Sequence, residues 1–435
     1  MLGAFRSAFA TPDLRRKILF TLAVVVAYRL GAAIPAPGVS FPNVQRCMAQ
    51  TDTTGGPDVF ALLNLFSGGA LLQLSVFAVG IMPFITASIV VQLLTVVVPR
   101  FEQLKKEGSS GQATLTQYTR YLSIGIATLQ AVGVVALAGS GQLFGGCQLP
   151  VFPDTSPLTM AITVLVMVAG SALLMWFGEL ITEKGLGNGM SILMFTSIAH
   201  RLPTEASAIL TNAGPLVFAG LCLFGLAIIV SVVFVEQAQR RIPVQYAKRM
   251  VGRRMYGGTS TYLPIKVNQA GVVPVIFGSS LLFLPNMAAQ VAGPDSGFGR
   301  FVQSHLADQS SWTHIALYAT LIVFFTYFHV GITFNPKERS EEMKKFGGFI
   351  PGFRPGNPTT AHLRFVLNRI TLPGSLYLAT VAVLPDFFLG VTGGSQSQSF
   401  PFGGTSVLIM VGVGLDTVKR IEAQLMQRNY EGFLR

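Results

Sequence analysis

The sequence predicts an all-α, polytopic membrane protein of about ten transmembrane helices, arranged as two inverted halves of five with one re-entrant half-helix. Three observations predict it. Charged residues make up only 11% of the chain and hydrophobic ones 51%, whereas soluble domains carry roughly a quarter charged residues. Apolar runs recur at lengths close to the roughly 20 residues a spanning helix needs. Lys and Arg crowd into alternate connecting segments, as they do where basic residues stay in the cytoplasm.

The runs lie near 18–37, 76–98, 119–138, 157–178, 187–199, 215–235, 269–291, 313–334, 370–390 and 404–418. The first follows Arg15-Arg16-Lys17 and imitates a secretion signal. Arg29 interrupts it, and Ile34-Pro35-Ala36-Pro37-Gly38 offers no small-residue cleavage site, so it reads as an uncleaved span. With the N-terminus inside, 27 of the 31 Lys and Arg fall on inner segments. Arg46, Arg201 and Arg300 fall outside, and Arg29 lies within the first span. Both termini are then cytoplasmic.

Residues 58–75 (DVFALLNLFSGGALLQLS) are apolar enough to suggest one more crossing. That crossing would leave 6 basic residues inside and 24 outside. The segment is therefore expected to enter from the outer side and turn back, with the helix breaking at Gly68-Gly69. A surface amphipathic helix is the alternative, but uninterrupted passage into the next span favours the buried form, which bilayers tolerate only where protein or a cavity surrounds it. Five spans per half place the division between 1–205 and 206–435, and an odd number inverts the second half. Two inner loops, about 236–268 and 335–369, hold 7 Lys or Arg each.

Catalytic signatures are missing. There is no GxxxxGK[ST], HExxH or GxSxG. Gly185–Gly189 has no following Lys and reads as a tight inner turn that lets a helix start at Asn188. The five histidines are scattered over loops and span ends. No enzyme activity, cofactor or metal is implied. Cys47 and Cys147 fall on the outer side and Cys222 within a span. A disulfide between the outer pair is open, with free thiols the expectation for so few cysteines. Mid-span carboxylates of the kind that couple transport to ions are nearly absent, with Asp386, Asp416 and Glu179 near span ends. Arg29 is the one basic residue in a span, either snorkelling or capping a packing partner. Such a route suits a substrate that is uncharged in places, such as a polypeptide.

Two stretches are distinctive, Gly80–Leu94 (GIMPFITASIVVQLL) and Met175–Ile192 (MWFGELITEKGLGNGMSI). Both resemble the signature segments of the SecY family, pore subunits of the bacterial protein-conducting channel. The resemblance continues through Tyr28-Arg29-Leu30-Gly31, Phe66–Leu71, Tyr246–Arg249, Phe334-Asn335-Pro336, Pro351–Gly356 and Phe402–Ser406. It implies a mid-membrane ring of apolar side chains, here Ile81, Ile85, Met190, Met194, Ile276 and Ile409. On residue spacing alone, Ile81, Ile85 and Ile89 share one helix face, which is ordinarily a packing or lipid-facing stripe. A hydrophobic constriction blocks water by dewetting, and the two methionines, where isoleucine is commoner, make the ring softer.

The resemblance further implies a plug at Ala61, Leu62, Leu63, Asn64, Leu65, Phe66, Ser67, Gly68, Gly69 and Ala70. It places Gln92 and Asn268 on the two sides of a lateral gate. Polar side chains between helices in lipid tend to bond one another, worth roughly 0.6–2 kcal/mol, so these two are expected to form a weak latch, with local helix packing the alternative for Gln92. Lys248, Arg249, Arg253, Arg254 and Arg354 would dock the ribosome, whose RNA is a polyanion, and the SecA motor ATPase. On charge alone these loops equally suit topology and anionic lipid. SecE and SecG subunits, unfolded preproteins, signal sequences and membrane lipids complete the implied partners, and the bacterial cytoplasmic membrane the location. The rival from another class is a ten-spanning secondary transporter of a small solute, which mid-span coupling residues would favour.

Overall fold

The computed structural model describes residues 9, 11–54, 67–139, 141–144, 147, 149–246, 249–251, 254–256, 260–292, 296–307, 311–392 and 404–432. Helices coincide with all ten apolar runs. In chain order they begin with α1 (Pro12–Ala33), followed by a short α2 (Phe41–Thr54). Then come α3 (Met82–Val97), α4 (Pro99–Lys106), α5 (Ser109–Gly139), α6 (Pro157–Lys184), α7 (Gly189–Ala213) and α8 (Pro215–Gln237). The second half continues with α9 (Val273–Ala292), a short α10 (Gly297–Val302), α11 (Trp312–Thr333), α12 (Pro336–Lys345), α13 (Asn357–Thr392) and α14 (Gly404–Gly432).

By length and composition, five of the described helices can cross a bilayer unaided, Ser109–Gly139, Pro157–Lys184, Phe218–Gln237, Trp312–Lys345 and Asn357–Leu384. The pair α3 and α4 makes a sixth and bends by 99° between them. Pro99 causes the bend, since the residue before a proline avoids helical backbone and Val98 is extended at φ −102°, ψ 115°.

The predicted run at 76–98 becomes helical only from Met82. Most of the half-helix expected within 58–75 falls on residues 55–66, outside the described residues, and Ser67–Ile81, before Met82, is a succession of turns. Its bonds are short-range, Leu74 N to Leu71 O, Ala78 N to Ser75 O and Gly80 N to Phe77 O. Gly68, Gly69, Leu74 and Gly80 all take positive φ there, a conformation no helix contains. The break expected at Gly68-Gly69 is thus present, with φ of 66° and 88°. The segment is stitched to the outer end of α1 by Ala36 N to Leu74 O (2.9 Å) and Val76 N to Ile34 O (3.0 Å).

The loop at 236–268 holds strands that the sequence reading did not foresee. β1 (Gln239–Tyr246) pairs antiparallel with β4 (Ser260–Lys266), and β2 (Arg249–Val251) with β3 (Arg254–Tyr256) between them. β5 (Gly348–Phe349), from the other basic loop, adds to the second edge of β1, giving the order β4-β1-β5. Alternation explains the ribbon. Ile242, Val244 and Ile265 are buried, whereas Arg240 and Arg241 are exposed. Ile242 and Ile265 join Val330, Phe334, Ile350, Leu363 and Leu367 in one cluster between the sheet, α11 and α13.

Cys47 and Cys147 form a disulfide with Cα atoms 5.7 Å apart, which corrects the expectation of free thiols. The reason is packing. Cys47 is fully buried, and both cysteines belong to the apolar cluster of Val44, Leu71, Leu74, Leu143 and Phe152. Cys222 is free and exposed.

Candidate functional site, a buried apolar cluster

Four helices deliver the predicted ring to one place. Ile81 caps the N-terminus of α3, and Ile85 follows one turn later. Met190 and Met194 are a turn apart on α7, which starts where the Gly187 turn (φ 77°) and the Asn188 cap place it. Asn188 Oδ1 accepts from Met190 N at 3.1 Å, as the sequence suggested. Ile276 comes from α9 and Ile409 from α14.

Ile81, Met194, Ile276 and Ile409 are buried together in a single cluster, with Ile85 and Met190 packed against it. The first four are 3%, 5%, 6% and 0% exposed, so they pack against one another without a gap open to solvent. The six side chains themselves are apolar and cannot replace a water's hydrogen bonds, the condition for dewetting. Ala70, from the turn segment, is buried in the same cluster. Ile89 leaves the ring and packs with Phe277 and Phe325, a cluster in which Ile85 also takes part.

The remaining expected site residues divide. Of the expected plug residues, Ala70 packs in the cluster of the ring and Ser67, Gly68 and Gly69 precede it, whereas Ala61, Leu62, Leu63, Asn64, Leu65 and Phe66 lie outside the described residues. Lys248 and Arg253 also lie outside them, and Arg249 and Arg254 enter through the backbone of β2 and β3. Arg354 is exposed between two turns, with Gly352 and Gly356 at φ of 88° and 108°.

The chain matches the SecY family model over residues 75–418. It is 62% identical over 441 residues to the protein translocase subunit SecY of Mycobacterium tuberculosis, covering all of both chains. The counterpart from Streptomyces coelicolor is 57% identical over the same span. This chain belongs to the SecY family. Its fold agrees with a solved structure described as a protein conducting channel, at a TM-score of 0.63 and 17% identity over 94% of this chain and 92% of that one. It agrees similarly with Sec61 in the canine ribosome-channel complex, at 0.60 and 17% over the same shares.

In this SecY-family chain the expected Gln92–Asn268 latch is not formed. Asn268 is buried and donates through Nδ2 to Glu236 Oε2 (2.9 Å) and Gly271 O (3.2 Å). A carboxylate is a stronger acceptor than a neutral amide, and Glu236 at the end of α8 supplies it. Gln92 instead lines a cavity of about 410 Å³ between α3, α5 and α11, with Ser88, Thr95, Gln112 and His329.

Sequence reasoning missed Tyr28 and Ser197, and left Arg29 between two roles. Tyr28 donates from its hydroxyl to Ser67 O at 3.1 Å, and the same oxygen lies 2.6 Å from Ser197 Oγ. Arg29 Nη1 donates to Gly68 O at 3.1 Å, which makes it a cap and not a snorkelling side chain. The available signal was the pair itself, a phenol and a guanidinium adjacent in an apolar run that must find acceptors in protein.

Proposed function

We propose that this chain is the pore subunit of a bacterial Sec translocase, conducting unfolded preproteins across the cytoplasmic membrane and releasing hydrophobic segments sideways into lipid. One observation carries the reading, the convergence of Ile81, Ile85, Met190, Met194, Ile276 and Ile409 from four helices into one apolar ring. Such a ring passes an extended chain while resisting ions, because apolar side chains yield sterically without offering ion ligands. The ring holds no carboxylate or cation that could couple an ion to a solute, which speaks against a secondary transporter. The work is conduction, not catalysis.

The two halves, 1–205 and 206–435, hinge the gate between α3 and α9, with both termini cytoplasmic. Residues 58–75 act as the plug. SecE and SecG accompany the chain. The ribosome or SecA docks on the basic loops around Arg249, Arg254 and Arg354, which the β4-β1-β5 sheet joins into one platform.

The test is photocrosslinking of a preprotein stalled during translocation into vesicles. A probe in its extended region should label variants carrying an acceptor at Met194, Ile276 or Ile409. It should spare Leu223, which is 73% exposed on α8. Labelling at Leu223 without labelling of the ring would overturn the assignment.

A further inference from the structure

We propose that α6, which lends no side chain to the ring, positions two of the ring's members. Ser171 holds Gly80, directly before Ile81, and Thr182 holds Gly189, directly before Met190. The inference rests on the reading of Ile81 and Met190 as members of the ring and assigns the residues that fix their places.

One stripe of α6 makes these contacts. Ser171, Leu174, Gly178 and Thr182 follow one another at steps of three and four residues and so share a helix face. Leu174 is fully buried in the ring's cluster. A Cβ on the neighbouring Gly170 would overlap the Val76 carbonyl, and one on Gly178 would overlap the Met190 thioether. The backbone of α6 thus touches the turns before α3 at one point and a ring side chain at another.

The Ser171 hydroxyl donates to Gly80 O at 3.1 Å. The first turn of α3 offers that carbonyl no other donor. Pro83 has no N–H, and the N–H groups of Phe84 and Ile85 both go to Ile81 O, at 3.1 and 3.3 Å. Ser171 and Ile81 are 4% and 3% exposed, so the bond is shielded from solvent. Gly80 N donates to Phe77 O at 2.9 Å, and Gly80 holds φ at +67°, a tight turn that passes any rotation of its carbonyl directly to Ile81. Without the hydroxyl, the carbonyl is buried and unpaired, and the turn rotates to find another donor. At the other pin, Gly189 N opens α7 and has no acceptor within its own helix. It donates to Thr182 Oγ1 at 2.8 Å, and a Cβ on Gly189 would overlap Gly178 O. Thr182 lies at the exposed end of α6, where water competes for the bond, so Ser171 is the stronger pin.

The experiment measures resting ion conductance of the channel, purified with its accompanying subunits, in planar bilayers. Ser171→Ala removes only the hydroxyl and should raise conductance severalfold. In an Ile81→Gly channel, itself expected to leak, it should add nothing, because the residue it positions is gone. In an Ile409→Gly channel it should add its full rise. Arg120→Gln is the control for α6 as a whole. Arg120 bonds Glu179 at 2.8 and 2.6 Å and ties α6 to α5; losing this tie should lower the unfolding temperature and leave conductance unchanged. A Ser171→Ala channel as tight as the unsubstituted one, where Ile81→Gly leaks, overturns the positioning role alone. So does an equal rise from Ser171→Ala in the Ile81→Gly background, or an equal leak from Arg120→Gln. No leak from either Ile81→Gly or Ile409→Gly overturns the reading of the ring beneath it. Should Ser171→Ala fail to assemble, Thr182 decides by the same measurement. Thr182→Val should raise conductance in the intact ring and not in Met190→Gly, while Thr182→Ser keeps the seal; an unchanged Thr182→Val channel would then overturn the role.

Discussion

Asn268 donates its amide to the Glu236 carboxylate at 2.9 Å, tying the start of the segment leading into α9 to the inner end of α8. The remaining amide oxygen, Asn268 Oδ1, is buried without a hydrogen-bond partner. The contact is thus a single donor–acceptor bond to a charged group, of a kind worth roughly 1.5–3 kcal/mol. Asn268→Asp should place two carboxylates together and lower the thermal stability of the detergent-purified complex. Adding Glu236→Gln restores a donor–acceptor pair in the reverse sense and should recover most of the loss. Gln92→Ala should leave the cycle unchanged. A double variant no more stable than Asn268→Asp alone would show that the two residues do not act as a pair.

The ring predicts a ranking. Ile409 is fully buried in the cluster, whereas Met190 only packs against it. Ile409→Gly should leak ions more than Met190→Ala, because it removes a side chain from the middle of the cluster and not from its margin. Met190→Ile and Met194→Ile replace flexible side chains with stiffer branched ones and should lower the resting leak. Conductance in bilayers measures all four. Equal leakage from Ile409→Gly and Met190→Ala would remove the ring from the seal.

Cys47 and Cys147 close a loop with a sequence separation of 100. In the chain-entropy account such a crosslink is worth about 4–5 kcal/mol, less whatever order the membrane keeps in the unfolded chain. Membrane-impermeant reductant should lower the unfolding temperature of the intact protein and leave a Cys47→Ser variant unmoved. The same treatment should shift the intact chain, and not the variant, on a non-denaturing redox gel. A reductant-independent unfolding temperature would mean that the bond contributes nothing to stability.

What the sequence made legible follows from the range of the interactions involved. Spans and orientation were readable because apolar length and basic charge act locally, and each of the ten runs acquired a helix. The ring came from the family resemblance, since Ile81 and Ile409 are far apart in the chain and their meeting is tertiary. The Cys47–Cys147 pair and the Tyr28–Ser67 bond are likewise contacts between distant segments. The turns before α3 at 76–81 lie inside the apolar run read as a span from 76, because apolar content alone does not tell turn from helix. The positive φ of Leu74 is imposed by stitching to Ile34–Ala36, and no local propensity announces it. In β1, two arginines and a proline mask the alternation that buries Ile242 and Val244.

Arg354 should matter for motor-driven export more than Lys344 or Lys345, although all three are exposed cations of one loop. The structure gives the physical reason. The Arg354 carbonyl accepts from Thr359 Oγ1 at 2.8 Å, and the Gly356 carbonyl from Ser340 Oγ at 2.9 Å. Phe353 stacks on His362 with centroids 4.0 Å apart, and its N–H donates to Ile350 O at 3.0 Å. The backbone on both sides of Arg354 is therefore pinned to α12 and α13, and the guanidinium projects from a fixed point. Lys344 and Lys345 close the last turn of α12, where they balance the helix dipole and face solvent. A planar fork on a rigid base can meet a carboxylate or carbonyl pair that an ammonium cannot copy. Arg354→Lys should then weaken productive docking about ten- to hundredfold, the equivalent of losing a charged hydrogen bond of roughly 1.5–3 kcal/mol. Lys344→Ala and Lys345→Ala should stay close to the unsubstituted protein. Topology or lipid attraction predicts otherwise, since lysine would serve as well as arginine and the three sites would be alike. SecA-driven translocation of a preprotein into vesicles measures the three variants side by side, and equal activity in all of them would sink the docking role.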